Sequence, residues 1–250
     1  MRDTPVVFIT GAARRIGACI VSKFHSQGFN VIIHYHQSAA EANQLVKQLN
    51  HARGDSAVCL QADFTDAEQV KQLSQQVLSQ YSRLDVLVNN ASSFYATEFG
   101  KTDLSQWRDL IDTNLRAAFF LIQDLRNELA KREGAIVNIV DTHDDKPLRH
   151  HSVYSIAKAG VKAMTRSLAL ELAPAIRVNG VSPGAILWQS SMQDDQDPKV
   201  LAARDKILQQ IPLGHLGKPE QIADAVYFLA SEGSYLTGQV IRIDGGRSLS

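Results

Sequence analysis

The run Val6-Val7-Phe8-Ile9-Thr10-Gly11-Ala12-Ala13-Arg14-Arg15-Ile16-Gly17 decides how this chain folds. Four consecutive apolar residues cut off by a glycine read as a fully buried strand ending in a tight turn, and a helix opens directly after it. Small residues at such a turn let the backbone approach a ligand. The unpaired N–H groups and the dipole at the helix start favour an anion, and a pyrophosphate suits the space. Gly11, Arg14, Arg15, Ile16 and Gly17 are therefore expected to form a cofactor cradle, with two arginines beside the phosphates.

Outward from this turn, short β-branched runs alternate with longer amphipathic stretches. The runs are Val6–Thr10, Val31–His36, Ala57–Ala62, Leu84–Asn89, Ala135–Val140, Arg177–Val181 and Val240–Ile243. Several are continuously apolar rather than alternating, as in a parallel sheet covered on both faces. The expectation is one α/β domain over residues 1–250 of the Rossmann type, a doubly wound seven-stranded parallel sheet with helices on both faces. Gly28 closes the first helix, Asp66 and Glu68 enrich the start of the third, and Pro174 ends the helix that begins near Ser152. Leu104–Ala130 reads as another helix. The least patterned stretch, Ala185–Pro198, follows the sixth strand on the side where such sheets bind ligands, and reads as a substrate-covering loop.

Composition narrows the partners. Lys plus Arg equals Asp plus Glu at 26 each, so no global field draws the chain to nucleic acid or an acidic membrane, and a small molecule is the expected partner. Cys19 and Cys59 form neither a disulfide framework nor a metal-ligand spacing, and read as buried thiols in a reducing compartment. The apolar run after Pro5 is too short for a signal sequence, and no stretch reaches membrane-spanning length. A soluble cytoplasmic protein is expected.

The second strand ends in His34-Tyr35-His36-Gln37-Ser38. An acidic residue here would grip the ribose hydroxyls of NAD. None is present, and Arg14, His36 and Ser38 suit a 2′-phosphate, so NADPH/NADP+ is the expected cofactor. His34 and Tyr35 are grouped with these cofactor-facing positions. So are Asp63, suited to the adenine amino group, Phe64 beside it, and Asn90-Ala91-Ser92 after the fourth strand. No metal site is expected, because His143 and His150-His151 lie in turn-like sequence. If Ser152–Ala173 is a helix, Tyr154 and Lys158 share a face four residues apart. Lys158 is then expected to lower the phenol from about 10 towards the range of a working proton donor.

The Tyr154-Ser155-Ile156-Ala157-Lys158 run, the glycine turn, Asn89-Asn90-Ala91, Asn114, Pro183-Gly184 and Asp244-Gly245-Gly246 occur in this order over essentially the whole chain. Together they resemble the short-chain dehydrogenase/reductase family. The resemblance implies that Asn114 holds a water in a proton relay, that Lys158 anchors the nicotinamide ribose, and that Pro183-Gly184 packs the nicotinamide. It also implies a homotetramer built on the fourth and fifth helices and the last strand.

Four departures resemble one subfamily, the pteridine reductases. Arg15 stands where the family usually has glycine, and the second strand end is followed by Ala39-Ala40-Glu41-Ala42-Asn43. Asn90-Ala91-Ser92-Ser93-Phe94-Tyr95 follows the fourth strand, and Asp141 replaces a serine thirteen residues before Tyr154. The likeness implies that Arg15 contacts pterin and cofactor phosphate, that Ser92 hydrogen-bonds near both, and that Phe94 stacks the pterin on the nicotinamide. Asp141 and Tyr154 would supply or relay a proton to a ring nitrogen. The expected activity is NADPH-dependent reduction of a pteridine or folate at a C=N bond. Two other readings stay open: a carbonyl or 3-oxoacyl-thioester reductase, and an NADP(H)-binding sensor without turnover. Gln37 replaces a residue that is basic in those reductases, which loosens 2′-phosphate discrimination. Some relatives carry a basic C-terminal tail that reaches a neighbouring subunit's site. Here the sequence ends at Ser250, with Arg247 nearby.

Overall fold

A computed structural model describes residues 4–188 and 197–250. Its strands are β1 (Val6–Ile9), β2 (Asn30–Tyr35), β3 (Ala57–Gln61), β4 (Val86–Asn89), β5 (Ala135–Ile139), β6 (Arg177–Pro183) and β7 (Val240–Ile243). They form one sheet in the order β3-β2-β1-β4-β5-β6-β7. Every pairing is parallel. This is the expected Rossmann-type α/β arrangement.

Successive side chains along a strand point to opposite faces. Val6 and Phe8 of β1, Ile32 of β2 and Leu87 of β4 join one buried cluster, while Val7, Ile9, Val31, Ile33, Val86 and Val88 join the other. Because both faces are covered, the central strand β1 reads as an unbroken apolar run. Helices α3 (Ala67–Tyr81), α5 (Ala117–Ala130) and α6 (Ser152–Leu172) supply the first cluster with Leu73, Leu121 and Val161. Helices α1 (Arg15–Ser26) and α8 (Pro219–Tyr227) supply the second with Ile20, Phe24 and Ile222. Fully burying one such side chain stabilises the fold by about 1.5–3 kcal/mol. The two remaining helices are α2 (Ala39–Ala52), which adds Leu49 to the second cluster, and α7 (Pro198–Gln209).

The strand order reverses between β1 and β4, which opens a crevice at their carboxyl ends. The cradle turn and the Asn90-Ala91-Ser92 segment both empty into it.

The structure corrects the helix expected over Leu104–Ala130. Helix α4 (Leu104–Ile111) passes through a π-turn, Asp112–Arg116, before α5 begins. The cause is Asn114, whose Nδ2 donates to Leu110 O at 2.8 Å and to Ser93 O at 3.0 Å, occupying a helix carbonyl with a side chain. A π-turn inside a helix often marks a functional position. No helix among the described residues is long and apolar enough to cross a membrane.

Candidate active site

The cradle is built by close approach. Gly11 has φ +59, and a Cβ there would lie 2.6 Å from Ala91 Cα. Gly17 has an ordinary φ but no room, since a Cβ would sit 2.6 Å from Gly11 O and 2.7 Å from Asn90 Nδ2. Asn90 clamps the turn, donating from Nδ2 to Thr10 O and Gly11 O, both at 2.9 Å. Thr10 Oγ1 accepts from the backbone N–H groups of Asn90 and Ala91 at 2.9 and 3.0 Å. Ile16 packs against the core and seats the first turn of α1.

His34 and Phe64 depart from the expected grouping, because both lie behind the cradle. His34 is 2% exposed, accepts from Gly11 N–H at Nδ1 (3.1 Å) and donates from Nε2 to Ala62 O (3.1 Å). Phe64 stacks flat on it with ring centres 4.2 Å apart. Burial lowers the His34 pKa from 6.5 to about 4, with the Ala62 hydrogen bond opposing. The imidazole is thus neutral and of fixed tautomer, a spacer that holds the glycine turn.

At the outer end of β2, His36 Nε2 lies 3.6 Å from Asp63 Oδ2, and Asp63 accepts from Thr65 N–H and Thr65 Oγ1 at 2.8 Å. Tyr35 closes β2 beside them, half-buried. Ser38 is the N-cap of α2, but its side chain makes no cap hydrogen bond. Arg14 is exposed and 3.4 Å from Glu41 in the first turn of α2. Arg15 has φ +54, a left-handed conformation that an arginine adopts only at a cost, and its Nη2 donates to Trp188 O at 3.3 Å. Arg204 of α7 lies over the Trp188 ring at 5.5 Å. Trp188 belongs to the expected substrate loop, of which residues 189–196 lie outside the described ones. Pro183 is buried at the end of β6, and Gly184 lies against Asp244, where a Cβ would be 2.6 Å from Cα.

The reacting corner collects residues from β5, α6, the π-turn and the segment after β4. Tyr154 Oη donates to Asp141 Oδ2 at 2.7 Å. Asp141 Oδ1 accepts from His143 N–H at 2.9 Å, a cap that starts the single turn Thr142–Asp144. Lys158 is 2% exposed and donates from Nζ to Ile139 O at 3.0 Å, with Nζ 5.6 Å from the Tyr154 ring centre. Ser92 Oγ donates to Asn114 Oδ1 at 2.6 Å. Phe94 meets Tyr154 edge-on at 4.8 Å, and its ring stacks on His151 at 4.8 Å.

The electrostatics correct one expectation. Burial pushes the Tyr154 phenol well above 10, and the Asp141 carboxylate pushes it further, while a Ser92 hydrogen bond opposes. The carboxylate sits in direct hydrogen-bond contact, whereas the ammonium is aimed at Ile139 O. Tyr154 therefore holds its proton until negative charge appears on an acceptor. Burial lowers Lys158 itself from 10.5 to about 8, with Asp141 opposing.

Two groups escaped the sequence reading. A buried polar chain runs from Asn89 Nδ2 to Asn138 Oδ1 (2.8 Å), and from Asn138 Nδ2 to Thr165 Oγ1 (2.9 Å), tying β4, β5 and α6 together. Its only sequence signal was an asparagine inside each of two apolar strands. The other is His143, whose Nε2 lies 4.0 Å from Asp141 Oδ1.

The comparisons agree with this geometry at the level of family. A family profile described as enoyl-(acyl carrier protein) reductase matches residues 11–248. Pteridine reductase 1 of Leishmania tarentolae is 35% identical over 98% of this chain and 97% of its own. The 3-oxoacyl-[acyl-carrier-protein] reductase FabG of Staphylococcus aureus (strain N315) is 37% identical over 98% and 99%. The 3beta-hydroxysteroid dehydrogenase 1 of Eggerthella lenta is 33% identical over 97% and 93%. The crevice, with its glycine turn behind a parallel sheet and its tyrosine and lysine on one helix face, fits the nicotinamide cofactor such reductases bind. The chain belongs to the short-chain dehydrogenase/reductase family and is an oxidoreductase of that family.

Proposed function

We propose that this chain is an NADPH-dependent pteridine reductase, acting on dihydropterins, dihydrofolate or oxidised pterins at a C=N bond. The observation that carries the reading is the 2.7 Å contact between Asp141 and Tyr154, with the Phe94 ring beside them. A ketone oxygen needs a neutral donor, whereas a carboxyl group shared with a phenol can hold a proton for a ring nitrogen. A flat heteroaromatic ring also needs a stacking surface, and Phe94 is 39% exposed.

NADPH is favoured by what surrounds the end of β2. Ser38, whose side chain makes no cap hydrogen bond, sits at the positive end of α2, Arg14 reaches Glu41 in the same first turn, and His36 precedes it by two residues. Gly11, Ile16, Gly17, Asn90, Ala91 and Ser92 would line the pyrophosphate and nicotinamide riboside, with Asp63 near the adenine and Pro183-Gly184 near the nicotinamide. When bound, the reduced nicotinamide supplies a hydride. Tyr154 supplies the matching proton, and its Oη–H bond breaks as the ring N–H bond forms. Asp141 returns a proton to the phenolate, Lys158 stabilises the negative charge during that interval, and Asn114 fixes Ser92 at the rim. Arg15, at the crevice mouth, is suited to both a phosphate and a pterin edge.

Exposed Trp107, Phe119, Phe120 and Leu170 on α4, α5 and α6 support burial of those helices in a homotetramer. The two free thiols suit a cytoplasmic setting. The second reading is a 3-oxoacyl-thioester reductase, supported by the 37% identity to the staphylococcal FabG.

NADPH oxidation by the purified protein, measured with dihydrobiopterin, dihydromonapterin, dihydrofolate and an acetoacetyl thioester, separates the two. Turnover confined to pteridines is the expected result, and turnover of the thioester alone overturns the reading. Asp141→Ser should lower pteridine kcat by at least about 100-fold, the usual scale of proton-transfer catalysis. NADPH affinity, measured by fluorescence, should stay within about twofold. Equal loss of both would make the carboxylate structural.

A further inference from the structure

The Tyr154–Asp141 pair is closed on the side of the lysine and open on the side of a histidine. Tyr154 and Lys158 are only 4% and 2% exposed, and both Asn114 amide hydrogens are engaged by backbone carbonyls. His143 lies on the other side of Asp141. Its Nδ1 lies 3.0 Å from Lys146 O, and a carbonyl only accepts, so Nδ1 carries the hydrogen. That bond leaves Nε2 as the nitrogen that gains and loses a proton, and Nε2 is the atom 4.0 Å from Asp141 Oδ1. The His143 side chain is 16% exposed and that of Asp141 24%, so one ring touches both solvent and the half-buried carboxyl. Hydrogen bonds between catalytic groups are commonly long before substrate binds and shorten afterwards. Imidazole is the side chain suited to passing protons near neutral pH.

We propose that His143 is a positioning residue that returns protons from solvent to Asp141, and through it to Tyr154. The proton that leaves Tyr154 Oη forms the new N–H bond of the substrate. His143 Nε2–H gives a proton to Asp141 Oδ1, a half-turn of the carboxyl group turns it towards Tyr154, and Asp141 passes it to the phenolate. His143 then takes one proton from bulk solvent, and Asp141 is again the carboxylate that accepts from Tyr154 Oη. One solvent proton is consumed per turnover and no other reactant is required.

The charges around His143 are fixed by ion pairs. Asp144, on the same turn, is held by Lys162 of α6 at 2.9 Å. Asp145 is held by Lys162 and by Arg242 of β7. Lys146 contacts Ser250 O at the C-terminus. From α6, Tyr154 and Lys158 face the turn through Asp141. With these neighbours paired to one another, Asp141 is the carboxylate left to respond to His143.

The test rests on the pteridine reading for its substrate, and wild-type turnover is measured first; its absence would count against that reading alone. His143→Asn keeps an amide N–H for Lys146 O and deletes the titrating nitrogen. Its kcat is expected to fall about tenfold above pH 7, with KM and NADPH affinity unchanged, and added imidazole should restore the rate. An unchanged pH profile of kcat, or a loss that imidazole does not restore, overturns the proposal. A second measurement needs no turnover: nitrogen-15 NMR of the histidines in wild type and Asp141→Asn. At one fixed pH the His143 Nε2 signal should differ between the two proteins, and an identical signal overturns the coupling.

Discussion

The cofactor cradle and the proton-handling corner lie on one sheet edge, yet they treat buried polar groups in opposite ways. In the cradle, Thr10, His34 and Asn90 all have partners, and His34 gives up its charge to serve as a neutral spacer. In the corner, Lys158 is buried, and Ser155 Oγ, next to Tyr154 on α6, has no hydrogen-bond partner among the described residues. A surface that binds by shape gains from locking every group. A surface that moves protons must keep groups whose charge can change, and the fold bears that cost.

Replacing Lys158 by methionine should break this contrast most severely. Loss of the ammonium behind Tyr154 is expected to lower kcat by about 1,000-fold, within the range of general acid–base effects. Stability should move the other way. The Lys158 pKa is lowered from 10.5 to about 8 in the folded chain. Its stabilising share is therefore present above the unfolded pKa and lost as pH falls through 8. At pH 7 the buried ammonium costs up to about 3 kcal/mol. The lost bond to Ile139 O returns about 1 kcal/mol of that. Urea denaturation should show the variant more stable by about 1–2 kcal/mol at pH 7 and no more stable near pH 10.5. A variant less stable at pH 7 would mean that the ammonium helps hold α6 against β5.

The cradle should show its dependence on a neutral His34 in acid. The folded pKa is lowered from 6.5 to about 4, so the unfolded chain takes up the proton first as pH falls. Stability is complete above 6.5 and is lost between 6.5 and 4, by up to about 3 kcal/mol. His25 is also lowered by burial and contributes in the same direction, so the measurement is a difference between wild type and His34→Asn. The asparagine can accept from Gly11 N–H but does not titrate, and its stability profile should be flatter from pH 6.5 to 4. Parallel profiles would assign the acid loss to other groups.

How much of this was legible beforehand follows from the range of the interactions. The strands were readable because both sheet faces are apolar, so a run such as Val6–Ile9 needs no partner to be recognised. The pairing of Tyr154 with Lys158 was readable because helix geometry fixes residues four apart. The π-turn at Asn114 was hidden, since it depends on Ser93, which arrives from another segment. His34 was placed on the ligand side because its strand position was legible while its partner Ala62, on a neighbouring strand end, was not. Tyr154 was expected to be lowered by Lys158. The direction of the ammonium, towards Ile139 O, was invisible in the spacing, and burial followed by Asp141 raises the phenol instead.

The smallest effect sharpens the contrast where the two regions meet, at Arg15. Its backbone takes the φ of +54 that the family usually gives to glycine, so the cradle accepts strain for the sake of a guanidinium. Two substitutions divide the backbone from the side chain. Arg15→Ala removes the guanidinium and keeps the strain, while Arg15→Gly removes both. Relief of a left-handed residue is worth roughly 1–2 kcal/mol, and the extra freedom of glycine in the unfolded chain takes back about 0.5–1 kcal/mol. The glycine variant should therefore be more stable than the alanine variant by about 0.5–1 kcal/mol in denaturant titration. Both should raise the pteridine KM to the same extent, because the side chain reaches the mouth of the crevice and the backbone does not. If KM rose only in the alanine variant, strain at the turn rather than the guanidinium would govern substrate binding, and the cradle would be sensing substrate through its backbone.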